Sequence, residues 1–135
     1  MKQRREIVMT TTPENWELMK SGKQTIIIRK TRPEALFFPF IVYVYVTGGV
    51  GVCGKFTCNQ ITRTIRPEQF AGVGKSCRKK DDLINYCRSA KGGICGWYIE
   101  PESLVVYDDP IPIYEYTGKK NPPYSWQYIN GNDET

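Results

Sequence analysis

Residues 40–65 read as two long strands separated by Gly48-Gly49, and no other stretch limits the fold as strongly. In the first strand, residues 40–47, Ile41, Tyr43 and Tyr45 alternate with Val42, Val44 and Val46. Both faces are therefore apolar or amphipathic, which predicts a strand in the middle of a sheet. The paired glycines permit a turn. The second strand, residues 52–65, carries Cys53, Lys55 and Thr57 on one side and Gly54, Phe56 and Cys58 on the other. A glycine inside such a strand predicts a bulge or bend, the usual means of curving a sheet towards closure.

Shorter elements surround this pair. Thr12-Pro13-Glu14 is a helix start: a hydroxyl N-cap, a proline where no donor is lost, and an acid at the positive end of the dipole. Gly22 is the matching stop, and Trp16, Leu18 and Met19 give the helix an apolar side. Residues 24–30 form a strand, because three consecutive isoleucines pack well on a pleated surface. Residues 80–90 predict a packing helix, with Leu83 and Cys87 four apart, Asp81 and Asp82 near its start and Arg88 near its end. Short strands follow at 96–99, 104–107 and 124–129, and Asp108-Asp109-Pro110 reads as a turn. Residues 1–8 and 130–135 are expected to be flexible ends. With 135 residues the chain forms one domain. Its fold class is α+β: a strongly bent sheet of five to six strands with two or three flanking helices, not a doubly wound parallel sheet.

Lysine and arginine outnumber aspartate and glutamate by 19 to 14, for a net charge of +5. A polyanion would be drawn to some face of such a molecule, although a solvated basic surface accounts for the charge equally well. The five cysteines form no C-x-x-C pair, and there is no histidine to complete a zinc site. No metal and no cofactor is expected. The cysteine spacing does not suggest a secreted disulfide framework, and the apolar stretch after the first residues is too short for a signal-peptide core, so a reducing cytoplasmic setting is expected. The longest apolar stretch, residues 35–46, is interrupted by Pro39 and falls short of the roughly 20 residues of a membrane span, so no membrane partner is expected. Without histidine the usual general base near neutral pH is missing, and no catalytic constellation is visible.

Candidate binding residues concentrate in residues 21–33, where Lys23, Arg29, Lys30 and Arg32 accompany Thr25 and Thr31. On a strand Thr25, Ile27 and Arg29 share a face, so a hydroxyl and a guanidinium suited to a phosphate or base edge project from one side. The alternative is that Arg29 pairs with an acid or caps a sheet edge. Trp97-Tyr98 and Ser125-Trp126 could supply aromatic platforms, since stacking contributes about 1–3 kcal/mol per base. Core packing is the commoner role of an isolated tryptophan, and it is the role expected of Trp16 and favoured for Trp97. The first half of Arg78-Lys79-Lys80-Asp81-Asp82 could contact phosphate, but such a run is more often a solvated helix entrance. Gly72-x-Gly74-Lys75-Ser76 suggests a phosphate loop, but Gln69 stands where the first glycine of that motif belongs.

The segments Thr12-Pro13-Glu14-x-Trp16, Ser21-Gly22-Lys23-x-Thr25-x-x-x-Arg29-Lys30-Thr31-Arg32-Pro33, Tyr43-x-Tyr45-x-Thr47, Gly54-Lys55-Phe56, Gly96-Trp97-Tyr98-Ile99 and Pro122-Pro123-x-Ser125-Trp126 together resemble the ASCH group of the PUA-like superfamily, in particular small phage and prophage ASCH proteins. The resemblance runs from about Met9 to Ile129. It implies a PUA-like twisted barrel with a cleft between the segment from Gly22 to Arg29 and the closing strand. Gly22, Lys23, Thr25 and Arg29 would line that cleft and Ser125 and Trp126 would close it; Arg32 and Trp97 complete the candidate ligand-binding set. The expected ligand is RNA, another nucleic acid, a modified base or a nucleotide. Some ASCH relatives are acetylcytidine amidohydrolases, and by position their catalytic lysine and threonine correspond here to Gln24 and Ile27, neither of which can perform that chemistry. Two alternatives stand beside the binding module. One is a hydrolase or ribonuclease acting on RNA or modified nucleosides through Lys23, Thr25 or Tyr43. The other is a phage or mobile-element protein that binds a host protein. Oligomeric state is not readable from the sequence.

Overall fold

The computed structural model describes residues 6–34 and 38–129. In chain order the elements are β1 (Ile7–Thr11), α1 (Pro13–Lys20), β2 (Ile26–Arg29), β3 (Phe40–Val46), β4 (Gly51–Thr64), a 3-10 turn (Pro67–Phe70), α2 (Lys80–Arg88), β5 (Ile94–Ile99), β6 (Val105–Ile111), α3 (Tyr114–Thr117) and β7 (Trp126–Tyr128).

The two long strands form and pair antiparallel across the glycine turn. Fourteen residues long, β4 exceeds every partner and serves three of them. It pairs with β3 and β6 through its first part, and with β5 through its second. The register shifts between Val52 and Gly54 opposite β6, which is the expected irregularity at the glycine. A side chain there would run into the Val105 carbonyl oxygen and come within 2.9 Å of the Trp16 ring. Gly54 thus lets β6 and α1 approach the bent strand.

The complete sheet runs β2-β5-β4-β3-β1-β7, with β6 attached to β4. Among the described residues only the β1–β3 pair is parallel; the other strand pairs are antiparallel. The sheet curls into a mixed half-barrel flanked by three helices, the expected α+β class. Its seven strands exceed the expected five to six because β1 was not anticipated. Ile7 and Val8, expected in a flexible end, are instead fully buried. Ile7 and Met9 enter the main core, while Val8 packs with Tyr45 and Ile113 on the other face. Pairing to β3 on one side and β7 on the other encloses this short run. Asp108, Asp109 and Pro110, read as a turn, are the outer part of β6, an edge position that tolerates acids and proline. The remaining terminal residues, 1–5 and 130–135, lie outside the described residues.

The alternation along β2 divides two cores. Ile27 joins Trp97, Phe40 and Phe56 inside the half-barrel, whereas Ile26 and Ile28 pack with Phe70, Leu83 and Ile94 beneath α2. Trp16 and Leu83 are core residues, as expected. All five cysteines are free thiols. Among the described residues no helix is long and apolar enough to cross a membrane.

Candidate ligand cleft

β2 and β7 stand at the two ends of the sheet, and side chains rather than a strand ladder join them. The Arg29 guanidinium donates through Nη1 to the Ile28 carbonyl at 2.8 Å and through Nη2 to the Thr10 carbonyl at 2.7 Å. Thr10 is tied in turn to the closing segment: its N–H donates to the Ser125 carbonyl at 2.9 Å and its hydroxyl to the Pro123 carbonyl at 2.8 Å. Beyond Arg29, the Trp126 Nε1 donates to the Thr31 hydroxyl at 2.9 Å, the Trp97 Nε1 to the Thr31 carbonyl at 3.4 Å, and the Glu34 N–H to the Tyr128 hydroxyl at 3.0 Å. The basic segment therefore forms the seam of the half-barrel.

Its electrostatics are unusual. The Nε atoms of Arg29 and Arg32 are buried and have no hydrogen-bond partner among the described residues. Burial pulls Arg29 down to about 10, with Tyr86 of α2 favouring its charge and Arg78 opposing it. At neutral pH it remains a guanidinium, held by carbonyl dipoles; no described carboxylate contributes to its environment. Lys30 lies 5.0 Å above the Tyr86 ring, and Arg32 lies 6.0 Å from the centre of the Phe38 ring. The charge of Arg32 also acts on the Cys58 and Cys95 thiols, both of which burial pushes up, Cys58 to about 11. Such thiols stay protonated near neutrality and make poor nucleophiles.

Of the predicted residues, Arg29 and Trp126 reach the seam through Thr10 and Thr31, and Ser125 joins it through its backbone, whereas Arg32 lies beside Phe38 and acts on the Cys58 and Cys95 thiols. Trp97 takes the core role favoured for it and drops out of the ligand-binding set: it is fully buried and forms a wall against which Trp126 packs at 6.0 Å. Of these two tryptophans, Trp126, half-buried, offers ring surface.

Gly22, Lys23 and Thr25 belong elsewhere. Thr25 donates its hydroxyl to the Gly74 carbonyl at 2.8 Å, and the Lys23 carbonyl accepts from the Gly74 N–H at 2.6 Å. The glycine-rich segment that superficially resembled a phosphate loop is thus a clamp on the entrance to β2. Four residues of extended chain, about 13 Å, separate Thr25 from Arg29 although they share a face. Gly22 and Thr25 line a different cavity, about 710 Å³, together with Gln24 and Tyr98. The structure does not gather the predicted set into one cleft. Thr10 and Tyr86 were missed; Thr31 and Arg78 carried signals, the first within the basic segment and the second in the charge run read as a helix entrance.

No protein-family model matches the sequence, and no curated protein matches it. Solved structures do. An ASCH protein from Zymomonas mobilis superposes with a TM-score of 0.74 at 16% identity, covering 95% of this chain and 90% of that one. Its serine-to-alanine variant gives 0.74 at 16% identity with coverage of 96% and 92%, and its tyrosine-to-phenylalanine variant 0.72 at 16% with 94% and 91%. This chain has the ASCH fold.

Within this ASCH fold, Gln24 and Ile27, expected at the amidohydrolase lysine and threonine positions, are both buried. The Gln24 Nε2 donates to the Ile26 carbonyl at 3.2 Å. Ile27 is a core side chain beside Trp97. Neither presents a nucleophile or a base to the Arg29 seam.

Proposed function

We propose that this ASCH domain binds a phosphate-bearing ligand, RNA or a nucleotide, at the seam between β2 and β7. One observation carries the reading. Arg29 buries a guanidinium that no described carboxylate balances, and Arg29 and Arg32 each keep a buried Nε donor without a partner among the described residues. A buried cation in this state is costly, and an anion that adds charge-assisted hydrogen bonds offsets the cost. Lys30 and Arg78 extend the positive region around it. Trp126, anchored by its indole N–H to Thr31, leaves part of a ring on which a base can stack. The five free thiols fit a reducing compartment such as the cytoplasm.

The hydrolase alternative draws less support. Thr25 is engaged with Gly74, the Lys23 backbone is held by the same loop, and Tyr43 donates to Glu6 at 3.3 Å on the face that carries Tyr116. The three candidates do not converge. The test is binding of single-stranded RNA and of free nucleotides at low and high salt, for the native chain and for Arg32→Gln. Affinity should fall with salt and with the substitution. No detectable binding of either ligand at low salt would falsify the reading, and tight capture of one protein unaffected by nuclease would favour the host-protein alternative.

A further inference from the structure

The cavity at the entrance to β2 has the opposite chemistry. Its volume of about 710 Å³ falls within the range of small-molecule sites. Met19, Tyr98 and Leu104 provide apolar walls. The polar lining is rich in acceptors. Gln24 is 5% exposed, and its NH2 is committed to the Ile26 carbonyl. That bond sets the orientation of the amide, because the reverse orientation would bring two oxygens together. Its Oε1 is then a buried acceptor with no partner among the described residues, which a donor-bearing ligand can satisfy.

Charge points the same way. Glu100 and Glu102 line the cavity from the turn between β5 and β6. The turn is held in place: the Ser103 N–H donates to the Glu100 carbonyl at 3.1 Å, and the Thr57 N–H donates to the Ser103 hydroxyl at 3.0 Å. Glu102 takes φ +66, a left-handed conformation where glycine is the ordinary choice, so a carboxylate is kept at a position that disfavours a side chain. Lys20, the lone cation of this lining, is paired with Glu17 at 2.9 Å. A phosphate would meet two carboxylates and an amide oxygen here.

We infer that this cavity is a second ligand site, for a small organic ammonium with an aromatic or aliphatic body. The ammonium donates to the Gln24 amide oxygen, Glu100 and Glu102 balance its charge, and the body lies against Tyr98, Met19 and Leu104. The site is independent of the arginine seam and does not rest on the nucleic-acid reading.

Tryptamine and its acidic counterpart indole-3-propionate, matched in shape and opposite in charge, separate this site from a merely greasy groove. Titrated into the isotope-labelled full chain, tryptamine should shift the amide resonances of Gln24, Tyr98 and Glu102. The acid should bind at least about tenfold more weakly. The double variant E100Q/E102Q, nearly isosteric at the surface, should weaken tryptamine about tenfold, whereas R32Q should leave tryptamine binding unchanged. The proposal is overturned if tryptamine produces no shifts there at millimolar concentration, if the acid binds as well, or if the double variant binds tryptamine as the native chain does.

Discussion

The Arg29 guanidinium of β2 donates to the Thr10 carbonyl of β1 at 2.7 Å, so a charged side chain links one end of a curled sheet to the strand beside its other end. Structural and electrostatic roles meet in this contact. The bond helps close the half-barrel, while the buried Nε is left without a partner among the described residues, and the proposed anion binding rests on that donor.

Replacing Arg29 should therefore affect both properties. Arg29→Met leaves the Thr10 carbonyl without this donor and is expected to destabilise the domain by about 1–3 kcal/mol, read as a lowered denaturant midpoint. RNA binding should be lost in the same variant. Arg32→Gln, whose side chain makes no such bridge, should weaken RNA while leaving the midpoint within about 0.5 kcal/mol of native.

The two packed tryptophans should separate cleanly. Trp97→Ala removes a fully buried ring and should cost about 3–5 kcal/mol of stability. Trp126→Ala removes a half-buried ring and its bond to Thr31, so the smaller stability loss should come with about 1–3 kcal/mol of lost RNA affinity if a base stacks there. Equal RNA affinity for Trp126→Ala and the native chain would rule out stacking on this ring.

Alkaline pH should destabilise the fold through Cys58. Burial raises this thiol from 9.0 to about 11. The unfolded chain then releases the proton near pH 9 while the native state keeps it to about 11, so the native state holds more protons within that window. The contribution is fully present below pH 9 and is lost as pH rises towards 11, a displacement worth about 2–3 kcal/mol. Tyr43, raised from 10.0 to about 12 by burial, extends the loss upwards. Arg29 acts in the opposite sense: its lowered value makes burial of the charge a cost that is relieved above pH 10. Cys58→Ser should flatten the fall in denaturation midpoint between pH 9 and 11, and an unchanged slope would refute the assignment.

Gly54→Ala should be among the most damaging small substitutions. The added methyl meets the Val105 backbone and the Trp16 ring, neither of which can yield without moving β6 or α1. A loss of about 1–3 kcal/mol is expected from such overpacking, measurable by thermal unfolding. By contrast, no heavy atom lies within 4 Å of the Cβ position at Gly72, so Gly72→Ala should cost only the strain of its φ of +103.

Much of the architecture could be read from local pattern. Two-residue alternation identified β3 and β4, the hydroxyl-proline-acid start located α1, and the Thr12 hydroxyl does accept the Asn15 N–H at 3.2 Å. β1 escaped because five residues of mixed type carry no alternation; its burial comes from β3 and β7, which lie far away in sequence. The site divided for a related reason. Thr25 and Arg29 have the same parity on one strand, but parity says nothing about what covers each end of it. The Gly74 clamp took one end and Thr10 the other.

Residue chemistry, by itself, determined that this chain would form a bent, two-sided apolar sheet and would carry arginine, threonine and tryptophan near its basic segment. Tertiary structure alone decided that Arg29 would face carbonyls instead of a carboxylate, that Trp126 would keep part of its ring at the surface, and that Gln24 would line a separate acidic cavity. Propensity and alternation act between near neighbours. Burial and charge depend on which distant strands the curled sheet brings together.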